Sequence, residues 1–112
     1  TERIVIIEFV EIDNMKNVVI SADGERKVYS VPDIVADNLR EYCIGFCDDW
    51  LITSPNANKY RQKGWYNEED FIEYLNEWVF PEEQSVLVEN LGWIDFDEAL
   101  PKPYNNCPEF NF

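Results

Sequence analysis

From Gly64 to Phe112 the chain carries twelve acidic side chains and one cation, Lys102. This half has to fold against its own repulsion, because like charge works against compaction. Residues 1–63 are nearly balanced, with eleven acids and eight bases, and the whole chain stands at −14. Three of those bases, Lys59, Arg61 and Lys63, share one stretch, PNANKYRQKGWY at 55–66. Cations interleaved with Tyr60, Trp65 and Tyr66 are one way to bind a nucleic-acid strand. Beside so acidic a half, however, they would meet a field that repels phosphate. A polar connection that counterweights the acids, or is simply solvated, is the expectation, and no direct nucleic-acid binding is expected.

At 112 residues the chain is read as one domain, 1–112. Apolar residues make up 46% and aromatics 15%, which separates it from an acidic disordered tail and calls for a real core. No stretch approaches the length of apolar sequence that spans a bilayer, so no membrane partner is expected. The three cysteines, Cys43, Cys47 and Cys107, are an odd set. That argues against a closed disulfide framework and for free thiols in a reducing cytoplasm, here of a bacterial host. There is no histidine. Ser-His and Cys-His nucleophile systems are therefore excluded, and so is the commonest metal ligand.

Along the chain, 3–12 (RIVIIEFVEI) reads as a first strand rich in β-branched residues. NVVIS at 17–21 and RKVYSV at 26–31 flank Asp23-Gly24, a signal for a type I′ hairpin. Pro32 suits a first helical position. From there to about Thr53, Val35, Leu39, Tyr42, Cys43, Phe46, Cys47 and Trp50 recur on one arc, with Asp37, Glu41 and Asp48 opposite. Gly45 is the weak point of this helix. Asn67 with Asp70 marks the start of a second helix, striped by Phe71, Leu75 and Trp78 and stopped by Pro81. SVLVENL at 85–91 reads as a fourth strand, and 93–112 as an irregular, aromatic-rich segment packed along the domain. The expected fold is α+β, in the order βββααβ: an antiparallel sheet of about four strands with two helices on one face.

Glu69, Glu73 and Glu77 stand at i, i+4 and i+8 on the second helix, beside Asp70 and with no cation on that helix. Successive members rise by about 6 Å, and each like-charge pair at this spacing costs roughly 0.2–0.5 kcal/mol. Such a row is either a solubility face or a set of carboxylates standing in for phosphates. Asp37, Glu41 and Asp48 would extend it. Asp95, Asp97 and Glu98 form a secondary acidic cluster of the kind that can hold Ca²⁺ or Mg²⁺. It lacks the glycine and ligand ladder of a calcium loop, so no metal and no cofactor are expected. No phosphate loop or nucleophile elbow occurs, and no catalytic residue is assigned.

In charge and size, through the rows Glu69/Glu73/Glu77 and Asp37/Glu41/Asp48, the chain resembles the small acidic proteins of phages and mobile elements. Anti-CRISPR proteins and other DNA mimics have this character. The resemblance implies a non-enzymatic inhibitor that occupies the groove of a basic nucleic-acid-binding protein, a CRISPR nuclease being one candidate. The alternatives are an immunity or antitoxin protein for a basic toxin, a metal-dependent enzyme using Asp95–Glu98, and a plain structural subunit.

Overall fold

The computed structural model describes residues 14–95 and 97–112. The strand expected at 3–12 lies outside the described residues. Strand β1 (Met15–Ser21) pairs antiparallel with β2 (Glu25–Pro32). Of the two central turn residues only Gly24 has positive φ, 96°. A type I′ turn needs both to be positive, so the hairpin is there but its turn type is not the expected one. The Asp23 carboxylate closes the turn by accepting from the Glu25 N–H at 3.2 Å.

The first helical arm begins with α1 (Asp33–Asp37) and breaks at Asn38, which leaves the helical region at φ −132°. It resumes as α2 (Leu39–Ile44), passes into a π-helical segment (Gly45–Trp50) and ends as α3 (Leu51–Thr53). The change of winding starts at Gly45, the position that sequence marks as weak. The expected connection at 55–66 is instead largely helical. A short 3₁₀ turn (Pro55–Ala57) leads into α4 (Asn58–Lys63). Ser54 caps that turn by accepting from the Asn56 N–H, and Pro55 sits at its first position, where proline costs no hydrogen bond.

The second arm is α5 (Glu68–Tyr74) continued by a π-helical segment (Leu75–Val79). Its start is a complete capping box. The Asn67 side chain accepts from the Asp70 N–H and the Asp70 carboxylate accepts from the Asn67 N–H, which satisfies two otherwise orphaned donors. Strand β3 (Val86–Trp93) then pairs antiparallel with β2, and β4 (Glu109–Asn111) pairs parallel with β1. The sheet order is β3-β2-β1-β4. The fold is α+β as expected, but the sheet is mixed and not antiparallel, and among the described residues five α-helical and two π-helical segments with one 3₁₀ turn replace the two helices. The 93–112 segment contributes both the end of β3 and all of β4.

Val18 and Ile20 of β1 and Tyr29 and Val31 of β2 alternate onto one face. Leu39, Cys43, Phe46, Leu51, Tyr60, Phe71 and Leu75 from the helical pieces cover it. Phe46 is the hub: its ring lies within 6.5 Å of those of Trp50, Tyr60, Tyr66, Phe71, Tyr74 and Phe112. Val19 and Val28, on the opposite face, are also fully buried. Phe110 and Phe112 pack against the core, whereas Trp93 at the head of the same segment is exposed. Cys43 is buried, Cys47 and Cys107 half-buried, and all three are free thiols. Among the described residues no helix is long and apolar enough to cross a membrane.

Candidate partner-binding face

Tyr60 anchors α4 in the core between Phe46 and Trp50. Lys59 and Lys63, four residues apart and so neighbours on the helix surface, then lie along the second arm. Lys59 Nζ donates to Glu73 and stands 4.0 Å from Glu77. Lys63 Nζ lies 2.7 Å from Asp70 Oδ2. From the sheet, Lys27 reaches Glu68 at 3.0 Å and Glu69 at 3.2 Å. The acidic row thus has its cations, supplied by other elements of the fold.

The Tyr60 hydroxyl also donates to Glu73, at 2.5 Å. Hydrogen bonds from Lys59 and Tyr60 hold the Glu73 carboxyl below its usual value. Burial, together with that same hydrogen bond, pushes the Tyr60 phenol up. Burial works against the charge on Lys27, but the bonds to Glu68 and Glu69 outweigh it and keep the ammonium protonated beyond its usual range. Asp70, buried in its capping box and bridged to Lys63, serves the fold first.

The residues of the first arm are dispersed. Asp37 on α1 pairs with Lys16 of β1 at 2.8 Å. Glu41 and Asp48 are exposed, and among the described residues no cation lies within 4 Å of either. The π-helical winding from Gly45 changes the phase after Glu41, since such a turn closes i→i+5. Asp49, which helical spacing does not single out, comes close enough to Tyr74 to influence it. Burial is the main cause of the raised Tyr74 pKa, with Tyr42 and Asp49 adding to it.

Between the two arms runs an aromatic seam. The Tyr74 ring lies 4.8 Å from that of Trp50, and Trp50 lies 6.3 Å from Trp78. Trp78 is 45% exposed although it belongs to the expected apolar stripe. Glu41, Tyr42, Gly45 and Tyr74 line an open hollow of about 170 Å³. Glu41 borders this hollow, and Asp49 lies near Tyr74. Carboxylates near the exposed Trp78 ring suit Arg and Lys, which take charge-assisted hydrogen bonds and cation–π contacts together. Sequence reasoning missed Asp49 and Trp78 as surface groups. Gly45 in mid-helix signalled only a weak point there.

The third cluster is scattered among local bonds. Asp95 Oδ1 accepts from the Trp93 indole N–H at 3.1 Å, and the Asp95 carbonyl accepts from Arg26 and from the Glu98 N–H. Among the described residues no group of three or more His, Cys, Asp or Glu is arranged to hold a metal ion.

No family model, no curated protein and no solved structure matches this chain.

Proposed function

We propose that this chain is a non-enzymatic acidic inhibitor that binds a basic protein surface built to hold nucleic acid and competes for it. An anti-defence role against a CRISPR nuclease fits this reading. One observation supports it above others. The lysines of β1, β2 and α4 are already committed to carboxylates of the chain itself, while Glu41, Asp48, Asp49, Glu82 and Glu83 have no cation within 4 Å among the described residues. Of this charge, Glu41 and Asp49 stand beside the aromatic seam. The binding face therefore shifts from the Glu69/Glu73/Glu77 row, which is internally paired, toward Glu41, Asp49 and Trp78.

The test is capture from bacterial lysate at low and moderate salt, followed by the same measurement with Glu41→Gln and Asp49→Asn combined. Each lost charge-assisted contact removes about 1–3 kcal/mol, so affinity should fall about a hundredfold or more. Wild-type association should slow as salt rises. A captured partner with an acidic face, or a double variant that binds as tightly as wild type, overturns the reading.

A further inference from the structure

A second concavity lies away from the acidic seam, where α3 and α4 meet the turn that follows α4. Gly64 ends α4 at φ 84°, a left-handed conformation that suits glycine. The chain reverses there and brings Trp65 and Tyr66 back beside the first arm. The result is a cleft of about 520 Å³, within the roughly 300–1,000 Å³ range of small-molecule sites. Leu51, Ile52, Trp65 and Tyr66 give it apolar walls, and Cys47 and Arg61 are among the other lining residues. Ile52 is 66% exposed and Trp65 59% exposed, so a large apolar surface faces water at a site that is already concave.

The walls are braced. Arg61 Nη1 donates to the Leu51 carbonyl at 2.8 Å and to the Ser54 carbonyl at 2.7 Å. Lys63 Nζ sits 4.2 Å over the Trp65 ring. These contacts hold the cleft open and spend only one nitrogen of the guanidinium. Among the described residues Nε and Nη2 of Arg61 have no hydrogen-bond partner, and no carboxylate lies within 4 Å of the group. Lys59 and Lys63 on the same helix are paired with acids, so Arg61 is the cation of α4 left with donors to offer. Burial raises the Cys47 thiol pKa, which keeps it a neutral wall group.

We propose that this cleft binds a small amphipathic carboxylate, an aromatic or compact aliphatic body seated between Ile52, Trp65 and Tyr66 with its carboxylate on Arg61. The guanidinium offers the fork geometry that a carboxylate takes bidentately. The occupant is a free small molecule, since a stable protein interface needs far more surface than one cleft of this size offers.

The probe is 2-naphthoate, followed by heteronuclear NMR and calorimetry on the full chain, with naphthalene-2-methanol and 2-naphthylmethylamine as controls. Naphthoate should shift the Trp65 indole and Cys47 signals saturably and slow alkylation of Cys47. It should bind about tenfold or more tightly than the alcohol, and the amine should not compete. Arg61→Gln should erase the preference for the carboxylate. Because Arg61 also braces two carbonyls, Ile52→Glu at an exposed wall is the companion variant. It should abolish naphthoate binding with the melting temperature unchanged and lysate capture of the basic partner intact. No saturable shift with naphthoate at millimolar concentration, or equal binding of the alcohol or amine, overturns the proposal.

Discussion

A β-carbon on Gly24 would stand 2.5 Å from the Trp93 ring, at a φ of 96° that side chains rarely adopt. Gly24→Ala should therefore destabilise the domain by about 2 kcal/mol or more, from backbone strain and overpacking together. Urea unfolding measures it, and an unchanged midpoint would show that the exposed indole simply swings away. Glu73 makes a different case. Its folded pKa is depressed by Lys59 and Tyr60, so the stability it brings is present above its ordinary value of 4.5 and is lost as pH falls through the folded value. Glu73→Gln should remove that part of the acid sensitivity, making the variant's stability flatter than wild type's below about pH 4.5. Unfolding at a series of pH values compares the two slopes.

The second helical arm shows how an element's charge is settled by its neighbours. Taken alone, Glu69, Glu73 and Glu77 repel one another, and neutralising them should stabilise the helix. In the fold they face Lys27 and Lys59. Replacing all three by Gln should therefore lower stability, by about 1 kcal/mol in total, since exposed pairs are worth about 0–1 kcal/mol each. Denaturant titration gives the sign directly, and a rise in stability would mean that repulsion along the row outweighs the pairs. The same arm carries the capping box in which Asp70 holds both the Asn67 N–H and Lys63. Strand β3 has another character. Among the described residues it is the edge strand next to β2, with Val86, Leu87 and Val88 all exposed, so its apolar run reflects strand propensity more than burial there.

At the scale of the molecule, −14 is more charge than the internal pairs absorb. Added salt screens both the exposed pairs and the wider self-repulsion. With acids in such excess, repulsion is the larger quantity. The melting temperature should rise by a few degrees between about 20 mM and about 500 mM NaCl. Calorimetry at constant pH checks this. A falling melting temperature would show that the lysine pairs of β2 and α4 contribute more than the surplus acids cost.

What was legible in the sequence is what acts over a few residues. Asp23-Gly24 marks the hairpin, Asn67 and Asp70 mark the cap of the second arm, and the stripe from Val35 to Trp50 marks the face that meets the sheet. Caps, turns and periodicity are local, so one sequence carries them openly. Gly45 flagged a weakness but not its outcome, because π-helical winding depends on how Phe46 and Trp50 are accommodated by the rings around them. The segment 55–63 looked like a polar connection because only Tyr60 and Ala57 of it are buried, too few to show a helical period. Lys59 is 14 residues from Glu73, and Lys27 is 41 from Glu68. The parallel partner of β1 comes from residues 109–111, ninety positions away. No local rule sets such meetings. They follow from how the helical pieces seat on the sheet, and that seating decided which acids the chain keeps for itself and which it displays.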